Sequence, residues 1–197
     1  LAYSLDLLLE VDDIPFVIPE ARRVDPVVLF ETDFEAGAQL GGFVAIGPNA
    51  DQWREAVEGP AASGAHSTPT AAHFGVETER GVGYEDLTSG TILSPLFEVA
   101  GLEIQDALTL TFNYYLEVGP GDVAEVVISP NDFDDVTAIT SSDGGLLVAD
   151  GTWRSVTVPI EGIAGASGFY RVGFRFTSDA AGTADGFMVD DVVLASV

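Results

Sequence analysis

Short segments in which apolar and polar residues alternate place the strongest constraint on the fold of this 197-residue chain. The clearest is Ala107–Leu116, in which every second side chain is apolar until two tyrosines close the run. A period of two is typical of a β-strand with one face on a core. Glycine- and proline-containing turns separate the predicted strands, which are Val27–Phe34, Trp53–Val57, Ala71–Val76, Thr91–Leu93, Ala107–Leu116, Val123–Ser129, Thr152–Val158, Phe169–Thr177 and Gly186–Ala195. Helical periodicity is weak, with Gln52–Glu58 the best candidate. The pattern therefore predicts an all-β protein, an antiparallel jelly-roll β-sandwich with an extra N-terminal strand.

The extra strand is predicted from the first eleven residues, which alternate with the same period. One face carries Leu1, Tyr3, Leu5, Leu7, Leu9 and Val11. Residues 12–26 contain three prolines and read as an extended connector. We therefore predict an N-terminal strand and connector over residues 1–26 and a jelly-roll domain over residues 27–197.

Three positions are open for this strand. It can add to a sheet of its own domain, or it can be the remnant of a preceding domain. It can also complete the sheet of a neighbouring copy, which provides backbone hydrogen bonds and side-chain pockets together. A head-to-tail exchange of this kind does not close, so it propagates into a filament. The third position makes the segment a donor strand for self-association.

Charge and composition exclude several classes of function. The chain carries 32 acidic and 7 basic residues, for a formal net charge of −25, and a surface of this sign repels nucleic acid and anionic lipid. No apolar run approaches the roughly 20 residues needed to span a bilayer, so membrane insertion is not expected. The absence of cysteine excludes disulfides, thiolate zinc sites and thiol catalysis. An acidic protein of this kind suits high-salt or calcium-rich surroundings, although simple solubility explains the charge equally well.

A series of short motifs gives the chain a family resemblance. In chain order the motifs are Asp33-Phe34-Glu35, Gln52-Trp53-Arg54, Gly90–Pro95, Leu108–Tyr115, Trp153-Arg154, Tyr170–Phe176 and Gly186–Val192. Over residues 30–197 their order and spacing resemble MAM-type and related jelly-roll modules, which are concanavalin-like β-sandwiches of secreted proteins, including bacterial extracellular proteases. The cysteines of animal MAM modules are missing, so a prokaryotic relative is the better comparison.

The resemblance implies an exported module at a cell surface that binds, adheres or assembles and does not catalyse. The leucine at position 1, in place of methionine, fits a processed, exported polypeptide. The resemblance also implies a structural calcium ion where the first and last strands meet, held by Asp33, Glu35, Asp190 and Asp191.

Elementary electrostatics agrees with a cation at the Asp190–Asp191 pair. Calcium prefers six to eight oxygen ligands, which carboxylates and carbonyls supply. Two carboxylates about 4 Å apart repel by roughly 1–4 kcal/mol, and a dication reverses that sign. The alternative is that strand alternation sends Asp190 and Asp191 to opposite faces, which leaves at least one of them in solvent.

Catalytic residues are not predicted. His66 and His73 have no metal-ligand spacing and are interpreted as exposed loop residues, and the sequence around His66 lacks the strand-to-helix turn of a serine hydrolase. A glycosidase needs a carboxylate pair, and no pair is singled out.

Aromatic residues give the rival interpretation. Trp53 and Trp153 are candidate sugar-stacking residues, as in a carbohydrate-binding accessory module of a secreted enzyme, although most aromatic side chains of such a domain pack in its core. The main hypothesis is a non-enzymatic, calcium-stabilised adhesive or structural module with a cell-surface, glycan or self-association partner.

Overall fold

The fold is an antiparallel β-sandwich of the jelly-roll type. The computed structural model describes residues 27–35, 39–56, 65–67, 69–78, 81–99, 108–130, 133, 135–161 and 168–196. Numbered in chain order within these residues, the strands are β1 (Val27–Thr32), β2 (Val44–Ile46), β3 (Trp53–Ala56), β4 (Ala71–Phe74), β5 (Val76–Thr78), β6 (Gly81–Gly83), β7 (Ser89–Leu93), β8 (Phe97–Glu98), β9 (Leu108–Glu117), β10 (Val123–Pro130), β11 (Thr137–Ser141), β12 (Arg154–Ile160), β13 (Phe169–Thr177) and β14 (Gly186–Ser196). Two short 3₁₀ segments, Gln39–Gly42 and Ala50–Gln52, precede β2 and β3. The prediction of an all-β jelly-roll sandwich is confirmed.

Two six-stranded sheets form the sandwich. Sheet A has the order β12-β9-β14-β4-β3, with β1 paired to β14. Sheet B has the order β11-β10-β13-β7-β2, with β8 paired to β13. A small separate ribbon joins β5 and β6. Strand β14 therefore runs through the middle of sheet A, with β9 on one side and both β1 and β4 on the other.

The core lies between the two sheets and is rich in aromatic side chains. Phe112 of sheet A meets Phe174 of sheet B edge-on, with ring centroids 4.8 Å apart. Phe74 and Phe176 make a second contact between the sheets at 5.0 Å. Such pairs stabilise by about 0.5–1.5 kcal/mol beyond their buried area. The alternation of β9 sends Leu108, Leu110 and Phe112 into this core, as its sequence predicts.

Trp53 also belongs to this core. It is 3% exposed and packs edge-on against Phe74 and Phe187. The prediction that Trp53 stacks on a ligand is wrong, because its indole faces the other sheet. In the same region, the strand predicted over Trp53–Val57 is present as Trp53–Ala56, which pairs with β4, and the short helix candidate Gln52–Glu58 is not a helix.

A second, smaller cluster lies on the outer face of sheet A. It contains Ala56, Ala65, Ala71, Tyr115 and Met188, with Trp153 packed against it. Residues 65–67, 69 and 70 precede β4, and Ser67 and Thr70 make polar contacts described below. The predicted N-terminal strand, residues 1–11, lies outside the described residues, and so does its connector. The boundary at residue 27 stays a prediction.

Candidate functional site

A bulge in β14 places two neighbouring aspartates on one face of sheet A. Asp190 pairs with Asn113 of β9, but the next regular pair is Val193 with Thr111, so Asp191 and Val192 interrupt the register. Asp191 has φ of +49°, a left-handed conformation that is rare for a residue with a side chain. A bulge re-aims side chains in this way. Strict alternation, which would send the two carboxylates to opposite faces, therefore fails here.

Ser67 contacts both carboxylates. Its amide donates to Oδ2 of Asp190 at 2.9 Å, and its hydroxyl donates to Oδ1 of Asp191 at 2.9 Å. The amide of Asp191 donates to Oδ1 of Asp190 at 2.8 Å. These donors compensate part of the repulsion between two adjacent negative charges.

Two more donors complete the surroundings of Asp191. His66 Nδ1 lies 2.7 Å from Oδ2 of Asp191, and Nδ2 of Asn113 donates to the same oxygen at 2.9 Å. The His66 side chain is 44% exposed and that of Asp191 is 30% exposed, so solvent screens this pair. We call the group of His66, Ser67, Asn113, Asp190 and Asp191 the aspartate cluster.

The two aspartates titrate in opposite directions. Burial raises the pKa of Asp190 to about 6, and the neighbouring charge of Asp191 adds to the rise, while the hydrogen bond from the Ser67 amide opposes it. Burial also raises the pKa of Asp191, but hydrogen bonds from His66, Ser67 and Asn113 outweigh it and leave that pKa below its usual value. The pair therefore favours one negative charge on Asp191 as the pH falls.

The upstream acids lie beside the same segment. Oε1 of Glu35 accepts a hydrogen bond from the amide of Thr70 at 3.0 Å, and Oδ1 of Asp33 accepts one from the amide of Glu35 at 3.0 Å. The intervening residue, Phe34, has φ of +58°. Glu35 and Asp190 are thus bound by amides only three residues apart, those of Thr70 and Ser67.

Asp33 and Asp191 also line one surface depression of about 530 Å³. Its wall includes Thr32, Gly41 and Val192. Gly41 is required here, because a Cβ at this position would lie 2.3 Å from the hydroxyl oxygen of Thr32 and φ is +59°. The depression therefore lies where the first and last described strands pair, with Asp33 directly after β1 on one side and Asp191 of β14 on the other.

Carboxylate oxygens are the kind of ligand that calcium prefers, and Asp33, Glu35, Asp190 and Asp191 supply them here. The carboxylates of Glu35, Asp190 and Asp191 are already engaged with amide, hydroxyl and ring donors. Over the part of the chain that the structure describes, no group of three or more His, Asp or Glu side chains is gathered in metal-binding geometry. A calcium role for Asp33, Glu35, Asp190 and Asp191 stays a prediction.

Trp153 marks a second candidate surface on the outer face of sheet A. The indole is partly exposed, with its ring centroid 5.8 Å from that of His66 and 6.1 Å from that of Tyr115. Beside it lie short polar side chains of β9 and β12, paired in register as Asn113 with Ser155 and Thr111 with Thr157. The hydroxyls of Thr111 and Thr157 are 2.9 Å apart. We call Trp153 and these four polar residues the Trp153 face.

An acidic pair borders this face. The hydroxyl of Tyr115 donates to Oε2 of Glu117 at 2.8 Å and lies 3.4 Å from Oδ2 of Asp185. Burial raises the pKa of Asp185, and the charge of Glu117 raises it further. Burial likewise raises the pKa of Tyr115, so its hydroxyl stays a proton donor across the ordinary pH range. The pair supplies hydrogen-bond acceptors beside an aromatic surface.

Sequence reasoning misplaced one histidine and missed three site residues. His73 is fully buried within β4, so its interpretation as an exposed loop residue is wrong. Ser67, His66 and Asn113 contact aspartates 78 to 125 positions away along the chain. Of these three residues, only Asn113 could have been noticed from the sequence, because it is a polar residue on the outward side of an alternating strand.

Comparison with known proteins shows the fold alone. No family model matches the chain, and no curated protein matches it. Among solved structures, the K3 cleaved adhesin domain of Lys-gingipain from Porphyromonas gingivalis W83 has a TM-score of 0.54 at 20% identity, covering 87% of this chain and 99% of that one.

Carbohydrate-binding modules superpose with slightly lower TM-scores. The module TmCBM61, solved with β-1,4-galactotriose, has a TM-score of 0.52 at 14% identity, covering 82% of this chain and 92% of that one. The xylan-binding domain CBM22-1 of Paenibacillus barcinonensis Xyn10C has a TM-score of 0.50 at 13% identity, with coverage of 87% and 95%. The chain thus shares the β-sandwich of carbohydrate-binding modules and adhesin domains. Across the described residues, no helix is long and apolar enough to cross a membrane.

Proposed function

We propose that this chain is a non-catalytic carbohydrate-binding module of an exported protein, and that the Trp153 face contacts the glycan. The observation that carries the proposal is a partly exposed indole beside a row of hydroxyl and amide side chains. An aromatic face packs against the apolar face of a sugar ring, and nearby polar groups fix the orientation of its hydroxyls. The similarity to sandwiches that bind galactotriose and xylan supports this choice over the purely structural hypothesis.

The charge of the surface selects among glycans. Asp191 and Glu117 lie close to the Trp153 face, and the whole chain has a net charge of −25. A negative potential lowers the local concentration of anionic ligands. The proposed ligand is therefore a neutral polysaccharide, and uronic-acid polymers should bind more weakly.

Binding to soluble polysaccharides tests the proposal. Native affinity gels containing neutral xylan or β-1,4-galactan should retard the chain, and gels containing polygalacturonate should not. Replacing Trp153 by alanine should weaken binding at least about tenfold, which corresponds to about 1.4 kcal/mol. Phe169→Ala is the matched control, because Phe169 is also a surface aromatic residue, 46% exposed, but lies in sheet B. Equal retardation of all three proteins would contradict the proposed site.

A structural calcium ion is part of the same proposal. Asp33 and Asp191 from opposite sides of the depression would hold it, with Glu35 and Asp190 beside them. The ion would neutralise charge between β1 and β14, two strands that pair along five residue positions. The resemblance to MAM-type modules, cell-surface adhesion and filament formation by strand exchange stay predictions that rest on the sequence.

A further inference from the structure

His66 and Trp153 form a corner at the edge of the Trp153 face. The centroid of the imidazole ring lies 5.8 Å from that of the indole, and the two ring planes meet at 62°. The His66 side chain is 44% exposed, and the indole is partly exposed. A sugar ring that packs on the exposed part of the indole therefore lies within reach of the imidazole.

The carboxylate of Asp191 fixes the imidazole through one ring nitrogen. Nδ1 of His66 lies 2.7 Å from Oδ2 of Asp191. A carboxylate oxygen only accepts hydrogen bonds, so Nδ1 has to carry a proton at this distance. Nδ2 of Asn113 donates to the same oxygen at 2.9 Å, and it lies 3.0 Å from Nδ1 because the two donors share one acceptor. Asp191 therefore sets both the tautomer and the orientation of the ring.

This tautomer makes Nε2 of His66 a hydrogen-bond acceptor. In a neutral imidazole one nitrogen donates and the other accepts. The lone pair of Nε2 points away from the Nδ1–H group, and Nε2 makes no hydrogen bond to any residue that the structure describes. Because the side chain is partly exposed, this acceptor is available to a molecule that binds on the Trp153 face.

The other side of the indole also offers acceptors. The ring centroid of Tyr115 lies 6.1 Å from that of Trp153. The Tyr115 hydroxyl lies 2.8 Å from Oε2 of Glu117 and 3.4 Å from Oδ2 of Asp185. The indole is therefore flanked by His66 on one side and by two carboxyl groups beyond Tyr115 on the other. Such surroundings favour a ligand that is rich in hydroxyl donors.

We propose that His66 is a specificity-determining residue of the Trp153 face, and that its Nε2 accepts a hydrogen bond from a free hydroxyl of the bound sugar. This role rests on the proposed function, because it requires a glycan on Trp153. A free hydroxyl can donate to Nε2, whereas an acetylated hydroxyl has no proton to donate. A site that hydrogen-bonds a hydroxyl rejects the analogue without it, since its own polar group is left unpaired. The ligand class is therefore a neutral polysaccharide with unsubstituted hydroxyls.

Two substitutions at His66 separate the acceptor from the ring. His66→Phe keeps an aromatic ring beside Trp153 but removes the acceptor, whereas His66→Gln removes the ring and keeps an amide oxygen close to the position of Nε2. In affinity gels of deacetylated xylan or β-1,4-galactan, His66→Phe should bind about three- to tenfold more weakly than the native chain, and His66→Gln should stay within about twofold of it. Packing against Trp153 alone would give the opposite order.

Chemical acetylation of the same polymers measures the selectivity. The native chain should prefer the deacetylated polymer, and His66→Phe should lose much of this preference, because position 66 then no longer distinguishes a hydroxyl from an ester. The ratio of the two affinities should fall at least about threefold between the native chain and His66→Phe. A general loss of folded protein lowers both affinities together and leaves the ratio unchanged. An unchanged ratio overturns the proposal.

Trp153→Ala distinguishes failure of this role from failure of the proposed function. If the native chain binds neither polymer, or if Trp153→Ala binds as the native chain does, the proposed function fails and the role of His66 fails with it. If Trp153→Ala binds weakly but both His66 variants bind as the native chain does, only the role of His66 is overturned. Both His66 variants lose the Nδ1 donor to Asp191, so damage to the aspartate cluster would weaken them equally, and equal weakening also overturns the proposal.

Discussion

The ring of His73 donates a hydrogen bond from Nε2 to the main-chain carbonyl of Asp185 at 2.9 Å. The other ring nitrogen, Nδ1, is buried without a hydrogen-bond partner among the described residues. Burial lowers the pKa of His73 from its usual 6.5 to about 4. A neutral imidazole is therefore built into sheet A, and the fold tolerates its protonation poorly.

We expect this histidine to make stability depend on pH. Between pH 6.5 and 4 the unfolded chain binds a proton at His73 and the folded chain does not, so the free energy of unfolding falls as the pH is lowered. The full loss is about 3 kcal/mol, and it is complete below pH 4. Urea unfolding of the native chain and of His73→Gln, across pH 4 to 7, measures the effect. Glutamine keeps a donor for the carbonyl of Asp185 but does not titrate. The difference in free energy of unfolding between the native chain and the variant should therefore shrink as the pH falls. A difference that stays constant with pH would contradict the lowered pKa of His73.

Calcium should stabilise the fold if the depression between β1 and β14 binds it. At a calcium concentration one hundred times the dissociation constant, the free energy of unfolding rises by about 2.7 kcal/mol, which raises the melting temperature by about 5–10 °C in a domain of this size. Melting curves in calcium and in chelator give the result. Asp33→Asn and Asp191→Asn should each abolish the shift, while Asp143→Asn in an exposed turn should retain it. An identical midpoint with calcium and with chelator would remove the ion from the proposal.

Tyr84 should be a stabilising residue of the core. Its hydroxyl donates to the buried carboxylate of Asp122 and accepts a hydrogen bond from the amide of Gly119 at 2.7 Å. Tyr84→Phe leaves both partners short of a hydrogen bond and should cost about 1–3 kcal/mol in denaturant unfolding. Asp122→Asn and the double variant complete a mutant cycle. Additive losses would show that the hydroxyl and the carboxylate do not interact.

Gly173 should tolerate no side chain. A Cβ there would lie 1.9 Å from the carbonyl oxygen of Ile92, so alanine has to separate β13 from β7. We expect Gly173→Ala to cost about 1–3 kcal/mol or more. Gly144→Ala is the control, since a Cβ at this turn position comes no closer than 3.3 Å to any atom. Thermal unfolding of the two variants compares them directly, and equal midpoints would refute the expectation.

The fold was predictable because alternation is a local property. Leu110 and Phe112 point inward as their spacing requires, and Tyr114 and Tyr115 point to opposite faces. Strands as short as β8, with two residues, carry too little sequence for a period to show. Trp53 was misassigned because an aromatic side chain is compatible with a core or with a ligand, and only its burial separates the two.

The candidate site was predictable only in part. The Asp190–Asp191 pair stands out in the sequence because adjacent charges interrupt an apolar strand. The bulge at Asp191 does not stand out, and the donors to the Asp191 carboxylate, Ser67 and Asn113, come from distant segments of the chain. Such contacts follow from the closed fold, and no local pattern encodes them.

The central position of β14 has a consequence for biosynthesis. Sheet A cannot close until residues 186–196 leave the ribosome, because this strand separates β9 from β4 and β1. Until then, Phe74 and Leu116 lack their neighbour Phe187, and two unpaired strand edges are open to other chains. Without β14, sheet A is therefore divided into two separate strand pairs, β12 with β9 and β3 with β4. Chains in which this strand is missing expose those edges, and chaperones and proteases act on exposed strands of this kind.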